Sequence, residues 1–373
     1  MENPSKKREN LMRAAWVLAM MVPALRLLPR QSALYAGRSV WLSPLIAIPV
    51  LLLYLWFLAA FSKKRQSGET FPDYIVRCLG RPFGKITVAI LALWAMLYAG
   101  FLLRAEAERF VLTVYPSAKP WFFVAVMAIM GIFGAAAPPK QLARCAKVLL
   151  PFVFGVLLLA LILALPSANL NAILPVTLTD APGILMGAVP VINVCTASLA
   201  AILLFSGGAK SEIIGGKSYA GFLVTTCVLL SVVCVLTVCI FGDVVTSRLN
   251  YPFFSMVRNI KIGNTIQRVD ALVVAVWVAP DFILISALLS IAARFARSLF
   301  GYHESDGAKG LFANGRYFAI IAAAIAAAAA VFIAKDYFAL EKISHSTVPL
   351  INLTLSLLVL PAIYLAGKAR KKI

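Results

Sequence analysis

The chain has 373 residues, is 62% hydrophobic with mean hydropathy +0.91, and carries a formal net charge of +20. Soluble domains use roughly 45 to 50% apolar residues, so this composition excludes an ordinary water-soluble globule and requires apolar surface facing lipid. The positive charge would suit nucleic acid in a soluble protein, but its placement along this chain follows membrane insertion instead.

Ten apolar segments succeed one another. Those at 41–61, 148–165, 219–241 and 348–366 each reach or approach the roughly 17 to 25 residues that a helix needs to cross a hydrocarbon core. Basic residues collect in alternate gaps. Lys6, Lys7, Arg8 and Arg13 precede the first span, Lys63, Lys64, Arg65, Arg77, Arg81 and Lys85 follow the second, and Lys140, Arg144 and Lys147 follow the fourth. Lys210 and Lys217 follow the sixth, Arg294, Arg297, Lys309 and Arg316 surround the gap after the eighth, and Lys368, Arg370, Lys371 and Lys372 close the chain. This alternation predicts cytoplasmic termini. The first apolar stretch is interrupted by Arg26 and Pro29 and lacks a small-residue cleavage site, so it reads as span one rather than a signal peptide. The expected fold is an all-α polytopic membrane protein of about ten transmembrane helices in one membrane domain, 1–373. A first five-helix repeat covers 1–165, a second 183–366, and a basic cytoplasmic tail 367–373.

Spans one and six each carry a proline near the middle, Pro23 and Pro190. Proline removes a backbone donor and clashes with the preceding turn, so both helices are expected to kink or break. A second echo follows spans two and seven, where short amphipathic stretches open with Phe71-Pro72 and Tyr251-Pro252; Thr70 and Asp73 have capping spacing before the first. Five spans per half give the halves opposite orientations, a five-plus-five inverted repeat. Paired broken helices in such repeats point to a site at the membrane midplane, where a freed helix N-terminus favours a carboxylate. Either proline alone is more readily a packing kink; the pairing favours the site.

The six cysteines, Cys78, Cys145, Cys195, Cys227, Cys234 and Cys239, form no CxxC pair, and the two histidines, His303 and His345, fall in connecting segments. That spacing argues against disulfides, a zinc or other metal site, and a Ser/His/Asp triad at membrane depth. No cofactor is implied, and the chain does not read as an enzyme.

The stretch 250–277 contains Tyr251, Pro252, Ile262, Gly263, Arg268, Asp270, Ala271 and Trp277 in an order that resembles the endospore germination permease family, the B subunits of bacterial germinant receptors. Further matching positions are Leu28-Pro29, Trp41-Leu42-Ser43, Tyr74, Leu79-Gly80, Arg104, Glu108, Leu174-Pro175, Gly187-Ala188 and Pro190. The likeness covers nearly the whole chain and extends to the amino acid, polyamine and organocation transporter superfamily. It implies a receptor complex with a larger A-type membrane subunit and a C-type lipoprotein subunit, in the cell membrane or spore inner membrane. One departure stands out: where the family often has Pro-Phe-Gly-Glu after the span-six proline, this chain has Val194-Cys195-Thr196-Ala197, without the acid or the glycine.

The candidate ligand-binding residues are Val22, Pro23 and Ala24 in span one, Arg104 and Glu108 in span three, and Val189, Pro190, Asn193, Cys195 and Thr196 in span six. Arg104 and Glu108 are four apart and share a helix face, where they can neutralise one another. Glu106 and Arg109 crowd the same segment, and Arg109 is as readily a residue snorkelling to the outer headgroups. Asp281, after Pro280 in span eight, is the lone candidate for ion coupling, against the alternative of a buried carboxylate satisfied by hydroxyls or freed backbone. Arg268 and Asp270 read as a structural ion pair. Together these features predict a permease-like protein in the lipid bilayer that binds a small polar ligand, an amino acid, between spans one, three, six and eight and senses germinants. The alternatives are an ion-coupled secondary transporter and a non-binding structural subunit.

Overall fold

The computed structural model describes residues 4–66, 68–206, 217–260, 269–301 and 317–372; for residues 4–9, Val22, 217–218 and 269–272 the description is of the backbone alone. The ten apolar segments all lie in helices. In chain order these are α1 (Pro4–Ala36), α2 (Ser43–Lys63), α3 (Phe71–Leu79), α4 (Arg81–Thr113), α5 (Pro120–Ala136), α6 (Pro139–Ala164), α7 (Ala181–Phe205), α8 (Lys217–Phe241), α9 (Asp243–Arg248) and α10 (Pro252–Arg258). There follow α11 (Val269–Leu299), α12 (Tyr317–Phe332), α13 (Tyr337–His345), α14 (Thr347–Thr354) and α15 (Leu360–Ala369). Helices α14 and α15 join through a π-helical turn, Leu355–Val359. Among the described residues, seven segments are long and apolar enough to cross a membrane, and α5 and α12 are shorter apolar helices. This is a multi-pass membrane protein.

The expected breaks in spans one and six take a milder form. Both α1 and α7 are uninterrupted helices through Pro23 and Pro190. A membrane helix tolerates one missing backbone bond when neighbouring helices exclude lipid from the gap, and both prolines are buried where α1 packs along α7. Helix α1 also runs past Arg26 and Pro29 to Ala36, three turns beyond the apolar stretch that predicted it.

Small residues allow this close packing. A β-carbon on Gly183 would lie 2.4 Å from the Tyr35 carbonyl oxygen, and one on Gly187 2.5 Å from Ser43 Oγ. Ser32 Oγ donates to the Gly187 carbonyl at 2.7 Å and Ser43 Oγ to that of Ile184 at 3.2 Å, tying α1 and α2 to α7. A β-carbon on Gly134 of α5 would sit 2.1 Å from Ser286 Oγ of α11. Of an apolar 18-residue stretch within 178–205, 89% is buried, against 28% of such a stretch within 139–167 and within 337–369. Helix α7 is therefore central, whereas α6 and the last span are peripheral.

The two amphipathic stretches form the short helices α3 and α10. Thr70 caps α3 by accepting from the Asp73 amide, and Gly80, at φ +82°, makes the turn into α4 that a β-branched residue could not. Arg77 reaches the Lys372 carbonyl and Arg370 donates to that of Leu79 at 2.6 Å, so α3 lies at the end of the bundle that holds the C-terminus. Helix α10 packs on α11 at the opposite end, with Phe253 and Phe254 centred 5.5 Å and 6.0 Å from Trp277.

Candidate functional site

Four charged side chains form one enclosed chain of ion pairs between α1, α4 and α11. Arg26 Nη1 donates to Glu106 Oε1 at 2.6 Å. Arg109 Nη2 lies 2.7 Å from Glu106 Oε2 and 2.6 Å from Asp281 Oδ2. None of the four is more than 2% exposed. Two guanidinium groups against two carboxylates make the chain neutral in total, which permits its burial, since an unmatched charge in low dielectric is costly. Glu106 precedes the end of α4 at Thr113 by seven residues, so the network lies about 10 Å inside the helix end. Aromatic faces complete the enclosure, with Phe101 5.8 Å from the Arg26 guanidinium and Phe110 and Phe254 5.2 Å and 5.1 Å from that of Arg109. Phe254 belongs to α10, so this short helix roofs the network.

Arg104 and Glu108 are ion-paired at 2.7 Å along α4, with side chains 12% and 9% exposed. Asp281 is not a lone carboxylate, because Arg109 already neutralises it, and Arg109 is fully buried rather than at the headgroups. Pro23, Ala24, Pro190, Asn193, Cys195 and Thr196 are buried between α1 and α7, and Cys195 Sγ donates to Met20 Sδ at 3.3 Å. The Thr196 hydroxyl donates to the Asn193 carbonyl, whereas Asn193 Oδ1 has no hydrogen-bond partner among the described residues. Val189 is 38% exposed and turns away from this group. Val22 lies in α1, its side chain outside the described residues; Ile262, Gly263 and Arg268 lie outside them altogether, as do the side chains of Asp270 and Ala271. The six cysteines are free thiols, and no group of metal-ligating side chains occurs among the described residues.

Sequence reasoning passed over Arg26 and Glu106 as parts of a site. Their signal was depth: Arg26 is an isolated charge inside an apolar run, Glu106 belongs to a charged cluster within a helix otherwise apolar enough to span, and the four charges sum to zero.

One turn beyond Pro23, Arg26 reaches a cleft that opens at the end opposite the C-terminus. Its void is about 390 Å³ with the open solvent at its mouth included, of which about 30 Å³ admits a water-sized sphere, and Arg30, Gln31, Tyr251, Tyr337 and Glu341 contribute to its walls.

The family model for spore germination proteins matches residues 16–328. The chain belongs to the spore germination permease family. No curated protein matches the sequence. Among solved structures the fold is similar to the crystal structure of MhsT in complex with L-phenylalanine, with a TM-score of 0.64 and 14% identity over 93% of this chain and 88% of that one. At that identity the likeness concerns the fold alone, a bundle of helices. The ion network of this spore germination permease lies within the part matched by the family.

Proposed function

We propose that this family member is the permease-like subunit of a spore germinant receptor, binding a small amino acid between α1, α4, α7 and α11 to bias the conformation of a larger assembly. The observation that carries the proposal is the neutral ion network bridging α1, α4 and α11 one turn from Pro23 and Ala24. Side chains from three helices share one electrostatic balance, so a ligand that displaces α1 would alter the pairing on the other two. A ligand shifts such an equilibrium only by its differential affinity for the two states. The L-phenylalanine held by MhsT supports an amino acid as the chemical class. The partners are an A-type membrane subunit and a C-type lipoprotein subunit, and both termini face the cytoplasm. An ion-coupled transporter is the second reading, favoured by a buried carboxylate at Asp281; its pairing with Arg109 weighs against a free coupling site.

In spores, Thr196→Trp or Ala24→Phe should shift the amino-acid concentration for half-maximal germination while membrane protein level holds. An unchanged response with abundant protein would place the ligand elsewhere. For orientation, an external maleimide should label a cysteine placed at Asn171 and not one at Lys64 or Lys140, all exposed positions; external labelling at Lys64 would reverse the topology.

A further inference from the structure

The Arg26 guanidinium is only half used. Its Nη1 is bonded to Glu106, while Nε and Nη2 are enclosed and have no partner among the described residues. Those two donors form one edge of the guanidinium plane, with parallel N–H bonds spaced to match the two oxygens of a carboxylate. A buried donor without a partner is costly, the more so on a charged group, so this edge favours an anion. Arg26 lines the cleft and is 2% exposed.

The rest of the cleft restricts the anion. Glu341 is 20% exposed and pairs with Arg30 on the rim, so its carboxylate is an acceptor that the ammonium of a zwitterion can share. Ser344 and Gln31 also line the cleft, joined by long contacts of 3.5 Å and 3.4 Å from Gln31 Nε2 to the Ser344 carbonyl and hydroxyl. Phe101, Tyr251 and Tyr337 provide apolar wall. Only about 30 Å³ of the cleft admits a water-sized sphere, space for about two waters, so an amino acid enters it only as its walls part, which favours a small guest.

We propose that the Nε–Nη2 edge of Arg26 receives the carboxylate of a small zwitterionic amino acid in this cleft, with Glu341 facing its ammonium group. The proposal rests on the amino-acid-binding function above and deepens it by moving the first point of contact outward from the proline pair. It also gives the ion network a trigger, because the anion would share Arg26 with Glu106.

The test uses the full chain in nanodiscs and two probe panels: the proteinogenic L-amino acids with their carboxamides, and simple carboxylates lacking an amine, such as acetate and propionate. Binding is read by thermal shift and titration. At least one amino acid should bind, its carboxamide about ten- to a hundredfold more weakly, in keeping with the loss of charge-assisted hydrogen bonds. Arg26→Lys, which keeps the charge and removes the fork, should lose a similar factor. Because loss of the Arg26 charge leaves Arg109 alone against both Glu106 and Asp281, Arg26→Gln with Glu106→Gln is measured alongside, and the carboxamide comparison needs no mutation. Amino acid and carboxamide binding equally, with Arg26→Lys unaffected, would overturn the Arg26 proposal and leave the receptor function standing. Binding of simple carboxylates but of no amino acid, lost in Arg26→Lys, would uphold Arg26 as the anion fork and overturn both the zwitterion and the amino-acid function. Binding of neither panel would overturn both.

Discussion

Helix α4 carries two kinds of ion pair side by side. Arg104 and Glu108 meet at 2.7 Å on a face where both keep some exposure, while Glu106 and Arg109, at the same separation, are sealed and extend to Arg26 and Asp281 on other helices. The chemistry is the same and the spacing differs by one residue, so position around the helix decides the energetics. In the first pair, water or headgroups can resolvate a side chain that loses its partner. In the second they cannot, and every member is tied to the charge balance of the whole.

The largest expected effect is therefore at Arg109. Arg109→Met leaves the carboxylates of Glu106 and Asp281 without their shared cation and should destabilise the purified protein by about 3 to 5 kcal/mol, seen as a large drop in thermal midpoint in detergent. Adding Asp281→Asn should recover part of that loss; a double variant worse than the single would show that the two do not share one balance. A smaller effect is expected at the α5–α11 contact. Gly134→Ala forces a methyl against Ser286 and should cost about 1 to 3 kcal/mol by the same assay, and its relief by Ser286→Gly identifies the overlap as the cause. The smallest belongs to Arg104 and Glu108. A double-mutant cycle should give a coupling of about 0.5 to 1 kcal/mol, and a coupling as large as that of the inner network would erase the distinction between the two pairs.

Most of the fold was legible in the sequence because apolar runs of membrane length, separated by alternating basic gaps, have few other solutions. The short helices α3 and α10 were legible from aromatic-Pro starts, and the Thr70 cap from its spacing to Asp73. Helix continuity through Pro23 and Pro190 was not, since it depends on burial against neighbouring helices. The i,i+4 pairing of Arg104 and Glu108 is local and could be read directly. The Arg26–Glu106 pair spans 80 residues of sequence and the Arg109–Asp281 pair 172, and no local pattern encodes such a meeting. Arg109 read as interfacial because it stands four residues from the end of α4; what buries it is Phe254 on α10, an element distant in sequence.

The central claim, a permease-like bundle that binds without pumping, is tested most directly in proteoliposomes. Purified protein would be supplied with radiolabelled L-amino acids under an imposed proton or sodium gradient, and equilibrium binding and internal accumulation measured together. The account predicts saturable binding with no accumulation above the external concentration under either gradient, and in Asp281→Asn a change in stability with no ion dependence to remove. Gradient-driven accumulation that disappears in Asp281→Asn would contradict it and establish a coupled transporter.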